Sequence, residues 1–157
     1  MLIDKVNTDY NFKGNIKNER TNLNSKLLKL ISLHESNDVD IANSEFENFS
    51  EFNFAVTKKF KIKNFYIKSK INIYNLIYLE NKEIFNKYFS EYKDNVKFKK
   101  INLNIDYKDK KLKISGDGNY TINNQEDKIT FNFDKYKDIY DFDVKINLNK
   151  SKILLKQ

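Results

Sequence analysis

Residues 101–148 read INLNIDYKDKKLKISGDGNYTINNQEDKITFNFDKYKDIYDFDVKINL, and their alternation decides the fold class. Ile101, Leu103, Ile105 and Tyr107 alternate with Asn102, Asn104 and Asp106. A period of two turns successive side chains to opposite sides of a strand, here one apolar and one wet. After a polar turn over 108–111, Leu112, Ile114, Gly116, Gly118, Tyr120 and Ile122 share one parity, against Lys113, Ser115, Asp117, Asn119 and Thr121. A turn over 123–128 precedes Ile129, Phe131 and Phe133. After a break over 134–138, Tyr140, Phe142, Val144, Ile146 and Leu148 alternate with Asp141, Asp143, Lys145 and Asn147. Four strands joined by short polar turns predict an antiparallel meander. One face of such strands is polar, so the other needs a partner sheet, a helix or a ligand.

The same texture continues towards the N-terminus. Val39 and Ile41 open a strand that runs towards Phe46, and Phe52, Phe54 and Val56 form a short alternation. Phe60 with Ile62, Phe65 with Ile67, and Ile71 with Ile73 predict one or two further strands, and Tyr10, Phe12, Gly14 and Ile16 another. Two segments read as helices. Ile84, Phe85, Tyr88, Phe89 and Tyr92 collect on one side of a helix over 82–92, with Asn81 as its cap and Asp94-Asn95 as its end. Leu23, Leu27, Leu28, Leu30 and Ile31 also fit a helical face, although Leu28, Leu30, Ile31 and Leu33 serve a strand nearly as well. The expected fold is mainly β: a curved, one-sided meander or trough with one or two short helices, forming a single unit over 1–157.

Composition bounds what this sheet can do. The 157 residues include 15% aromatics, no cysteine, no proline and three glycines. So many aromatics oppose wholesale disorder. Without proline and nearly without glycine, tight turns fall to Asn, Asp and Lys. The absence of cysteine excludes disulfides and thiolate metal sites. Lys, Asn, Ile, Phe and Tyr, all with AT-rich codons, are in excess, which points to an AT-rich genome as the source of the +7 net charge. The lysines are scattered beside 22 acids rather than gathered into a polyanion site. The first ten residues carry Asp4 and Asp9 and no apolar core, so no signal peptide is visible. The longest apolar run, Leu76–Leu79, is far short of the ~20 residues of a membrane span, and the chain is expected to be soluble.

Candidate chemical sites are thin. His34, the single histidine, stands beside Glu35 without the further partners that a triad or metal centre needs. Gly116-Asp117-Gly118 resembles the start of a phosphate loop, but the strand-like Asn119-Tyr120-Thr121-Ile122 follows where a helix should begin, so a bulge or bend in the sheet accounts for it. Asp141 and Asp143 solubilise the polar side of their strand. The triplets at Asn48, Asn119 and Asn149 match a glycosylation signal by chance in so asparagine-rich a chain. No enzyme activity, cofactor or metal is expected.

The stretch from about Phe46 onward resembles AsmA-like envelope proteins of the YhdP type, a bacterial bridge-like lipid transport family. The resemblance is carried by Asn75-Leu76-Ile77-Tyr78-Leu79-Glu80, Ile84-Phe85-Asn86-Lys87-Tyr88-Phe89, Leu112-Lys113-Ile114-Ser115-Gly116-Asp117-Gly118 and Phe142-Asp143-Val144-Lys145-Ile146-Asn147-Leu148-Asn149. It implies a long β-groove lined with apolar side chains that conducts phospholipid through the periplasm between inner and outer membranes. Such proteins are anchored in the inner membrane by an N-terminal helix, which this sequence lacks. It also stops within Ile153-Leu154-Leu155, like an unfinished strand, so the expectation is an internal or truncated piece whose partners are acyl chains and the remaining parts of a longer envelope protein. The residues expected to line the groove are Leu103, Ile105, Leu112, Ile114, Tyr120, Ile122, Phe131, Phe133, Phe142, Val144 and Ile146. Two other classes remain open. A single-strand nucleic-acid binder would stack bases on exposed rings beside lysines, but most rings here share parity with Ile, Leu and Val. A plain structural β module would close its apolar face with its own helices, Phe85 and Phe89 acting as the plug.

Overall fold

The computed structural model describes residues 1–6, 9–24, 40–79, 96–122 and 124–149. Eight strands lie in one sheet: β1 (Leu2–Val6), β2 (Asp9–Asn24), β3 (Asp40–Val56), β4 (Ile62–Leu79), β5 (Val96–Lys108), β6 (Lys111–Ile122), β7 (Gln125–Tyr136) and β8 (Ile139–Ile146). Their spatial order is their chain order and every neighbouring pair is antiparallel, while among the described residues β1 and β8 remain as two unjoined edges. The fold is an open, all-β meander, without a helix among the described residues. The helix expected over 82–92 lies outside those residues, as do 27–31, His34 and Ile153–Leu155. Leu23, grouped above with a helical face, belongs to β2.

The four C-terminal strands fall where the alternation put them, but their turns are tighter than the polar runs suggested. β6, β7 and β8 are joined to their predecessors by only two residues each, at 109–110, 123–124 and 137–138. Polar residues such as Asp127 and Lys135 are therefore strand residues rather than turn residues. Two-residue hairpins need left-handed backbone, since this matches the twist of the flanking strands. Asp109, Lys110, Asn124 and Lys137 adopt it, with φ of 50°, 65°, 64° and 55°. No glycine has positive φ. The three glycines serve a different need, described below.

Residues 40–79 form two long strands rather than several short ones. β3 and β4 have 17 and 18 residues, so each runs about 55–60 Å. Bulges shift the period of two along these strands. β2 carries one extra residue between Asn18 and Thr21. β4 carries one at Tyr74 against β3 and another at Asn64–Phe65, where Asn64 has φ 54°. β5 carries one at Lys100 (φ 51°) against β6. Since Phe46 pairs with Ile73, and Ile73 with Ile101, the bulges of β2, β4 and β5 lie at one level across the sheet.

These bulges keep the oily side chains together. In β5, Val96 and Phe98 have even parity and Ile101, Leu103, Ile105 and Tyr107 odd parity. The extra residue at Lys100 places both sets on one face. In β4, Ile71 and Ile73 change over to Leu76 and Tyr78 at Tyr74 in the same way. Gly118 faces the β5 bulge, and a Cβ there would stand 2.8 Å from Ile101 Cα and 2.9 Å from the Lys100 carbonyl oxygen. Gly116 and Gly14 instead lie under the rings of their cross-strand partners Phe131 and Phe52, an arrangement by which an aromatic ring fills the space a glycine leaves open.

A single sheet has little interior. Among the described residues, the buried apolar set is Ala55, Val96, Ile101, Tyr120 and Ile122, and no side chain is fully sealed. Val96, Tyr120 and Ile122 pack with Tyr78, Phe98 and Ile129, and the Tyr120 hydroxyl donates to the Asn147 carbonyl at 2.8 Å, fastening the end of the last strand. The whole chain exposes 12192 Å², against the ~8,300 Å² expected of a compact monomer of 18.8 kDa.

Candidate apolar binding face

The register aligns the apolar side chains into rows running across β4 to β8. One row is Ile71, Leu103, Gly116 beneath the Phe131 ring, and Val144. The next contains Ile105, Ile114, Phe133 and Phe142, and a third contains Ile67, Tyr107, Leu112 and Tyr140. On the other side of the first row come Ile73, Ile101, Ile129 and Ile146. Directly opposed residues in antiparallel strands share a face, so the rows form one continuous surface. It stays open towards β8, where Tyr140 is 59% exposed, Phe142 68% and Ile146 50%. Phe133 meets both Tyr140 and Phe142 at ring-centroid distances of 6.3 and 6.4 Å. A second aromatic run, Phe12–Phe54–Phe65–Tyr107, crosses the sheet at centroid spacings of 5.0 to 6.3 Å.

Towards β2 and β3 the same face is broken by polar groups. Ser50 and Ser69, cross-strand partners, are both buried and their hydroxyls are 2.7 Å apart. Ser50 also donates to the Asn48 side chain at 3.0 Å. The apolar surface therefore belongs mainly to the C-terminal strands, where Ser69 of β4 borders it beside Ile105 and Lys135 interrupts the third row between Leu112 and Tyr140.

The opposite face is hydrophilic and carries the most strongly coupled charges of the described residues. The β2 bulge brings the Arg20 guanidinium onto Glu45, with two bonds of 2.6 and 3.0 Å, and over the Tyr74 ring at 4.1 Å. Glu47 accepts from Asn72 at 2.6 Å and from the Tyr74 hydroxyl. Hydrogen bonding by Arg20 holds the Glu45 carboxyl below the usual glutamate range, and Asn72 and Tyr74 do the same for Glu47. The same bonds raise Arg20, through Glu45, and Tyr74, through Glu47. A hollow of about 560 Å³ lies beside this cluster, but Arg20 and Glu47 are already engaged with neighbours. The cluster stitches β2, β3 and β4 together where the bulges loosen their ladder.

All eleven residues expected to line a groove lie on the apolar face, by register. Tyr120 and Ile122 are buried near the end of the sheet, Phe142 and Ile146 are exposed, and the remainder are half-buried. Ile67, Ile71 and Ile73, read in the sequence as strand residues but not placed in the expected lining, extend the surface by a strand. Their pairing with β5 is a long-range register that the local alternation does not contain. Gly116-Asp117-Gly118 lies within β6, and the bulge proposed for it is real but sits in β5, opposite Gly118. Asp141 and Asp143 are exposed on the hydrophilic side of β8.

Fold and surface define a class, an open antiparallel meander with one apolar and one hydrophilic face. No family model matches the chain, and neither a curated protein nor a solved structure is found to match it.

Proposed function

We propose that the chain is a non-enzymatic lipid-binding segment whose apolar face takes acyl chains, as the resemblance to AsmA-like envelope proteins implies. The observation that carries this reading is the continuity of the Leu103–Val144 and Ile105–Phe142 rows from β5 to β8, together with the exposure of Phe142 and Ile146. An acyl tail of sixteen carbons in water costs about 12 kcal/mol, at roughly 0.8 kcal/mol per methylene. Four strands offer a surface about 20 Å across, at roughly 4.8 Å per strand spacing, on which such a tail recovers much of that cost while its head group stays wet. On this reading the hydrophilic face is turned to solvent.

The test is native mass spectrometry of the purified chain, with displacement of a fluorescent sixteen-carbon fatty acid as a second readout. Co-purifying phospholipid, lost in Ile105→Asn/Ile114→Asn but kept in Asn132→Asp on the hydrophilic face, is the expected result. A protein that carries no lipid and does not bind the fatty acid overturns the proposal. So does binding that the two-residue variant leaves unchanged.

A further inference from the structure

The two edges of the sheet differ in a way that points to a partner. An exposed edge strand is a template for further pairing, and proteins protect such edges by keeping them short or by turning a charge inward. β1 does both: it has five residues, and Lys5, paired with Tyr10, lies on the apolar face. β8 does neither. Its eight residues pair with β7 without a bulge, and its apolar side reads Tyr140, Phe142, Val144, Ile146.

The backbone groups of β8 that face away from β7, unpaired among the described residues, can be assigned. The Asn147 N–H donates to the Lys128 carbonyl at 2.9 Å, in register with the β7–β8 pairing. Bonded pairs alternate along an antiparallel ladder. The odd-numbered residues of β8 therefore turn their N–H and C=O groups to β7, and Tyr140, Phe142, Val144 and Ile146 turn theirs outward.

We infer that β8 pairs antiparallel with β8 of a second copy of this chain, about a two-fold axis through Val144. A symmetric pairing must match outward groups with outward groups, so few registers are open. Centred on Val144, Asp143 stands opposite the partner's Lys145 and Lys145 opposite the partner's Asp143. Phe142 meets the partner's Ile146, and Asp141 meets the partner's Asn147. Centred on Asp143, that aspartate would face itself; centred on Phe142, Asp141 would face Asp143; centred on Lys145, that lysine would face itself. Like charges directly opposed destabilise a sheet, and opposite charges support it. Only the Val144 register has two attractive pairs and no repulsive one. Within the strand it forms three bonded residue pairs, hence six backbone hydrogen bonds, and it joins the two apolar faces into one surface. Such an isologous contact closes on itself and stops at two copies. It stands whether or not that surface takes lipid.

Sedimentation velocity of the intact chain at micromolar concentration tests this. The expected mass is twice 18.8 kDa. Asp143→Lys sets the introduced lysine against the partner's Lys145 on both sides of the axis and is expected to give a single copy. The exchange Asp143→Lys/Lys145→Asp restores the attraction and the doubled mass. Val144→Pro removes an outward N–H that the β7 ladder does not use, so it too is expected to give a single copy with an unchanged far-ultraviolet spectrum. A wild-type chain that stays single overturns the inference, and so does a doubled mass that survives Val144→Pro. Loss of the dimer in Val144→Pro but not in Asp143→Lys overturns the register.

Discussion

Replacing Gly118 by alanine tests the bulge that keeps the apolar face of β5 continuous. A Cβ at this position would lie 2.3 Å from Ile101 Cδ1, 2.8 Å from Ile101 Cα and 2.9 Å from the Lys100 oxygen. A rotamer change of Ile101 relieves only the first contact. The other two are backbone, so the bulge itself must move, and Ile101, 5% exposed, moves with it. Overpacking of this kind costs about 1–3 kcal/mol. Alanine recovers part of that, roughly 0.5–1 kcal/mol, because glycine loses more backbone entropy on folding. The net loss, from the middle of both ranges, is therefore about 1 kcal/mol. In urea, with a slope near 2 kcal/mol per molar, the unfolding midpoint falls by roughly 0.5 M at constant slope. Gly14→Ala is the internal control. Its new Cβ would meet the far end of the Phe52 ring at 2.8 and 3.2 Å, which can swing aside, and Met1 Cα only at 3.4 Å. Its midpoint should stay within a few tenths of a molar of wild type. A Gly118→Ala protein as stable as wild type, or less harmed than Gly14→Ala, refutes the bulge as the device that sets the parity of β5.

Lys110 holds φ 65° in a two-residue turn. Lys110→Gly should raise stability by about 1 kcal/mol by removing the left-handed penalty, read as a higher urea midpoint. Ser69 donates to Ser50, which donates to Asn48. Ser50→Ala strands the buried Ser69 hydroxyl and should cost about 1–2 kcal/mol, Ser69→Ala less, and the double alanine variant less than Ser50→Ala alone; equal single-variant losses in a double-mutant cycle contradict this order. Glu45 and Glu47 are depressed in the folded chain. Their contribution is fully present above the ordinary glutamate pKa and is lost as pH falls through the depressed folded values. Arg20→Gln should flatten that acid limb in a pH series of thermal melts, and an unchanged limb would show that the cluster does not couple to folding.

β6, β7 and β8 were legible because each holds one parity throughout, and β5 was legible from Ile101 onward, past its bulge. Leu112 to Ile122 and Tyr140 to Ile146 never cross a bulge within their own strand, so a period of two read from the sequence is the period in the sheet. β3 and β4 were legible only in pieces. The extra residues at Tyr74 and Asn64–Phe65 shift the phase, and Phe60 lies in a turn at 90% exposure rather than in a strand. The turns read too long because Asp127 and Lys135 face the apolar side, where composition expects neither.

Local chemistry settled three things in advance: a mainly β chain, a wet and an oily side, and turns made from Asp, Asn and Lys. Side-chain periodicity and backbone preference act over two to four residues, and the chain carries both plainly. Tertiary structure alone decided where each ladder slips by one residue, that the slips fall at one level, and that Arg20, Glu45, Glu47 and Tyr74 meet there. It also decided that one edge is guarded while the other presents Val144 and its neighbours. Those outcomes depend on the twist and register of strands far apart in the chain, and no short window of sequence encodes such long-range geometry.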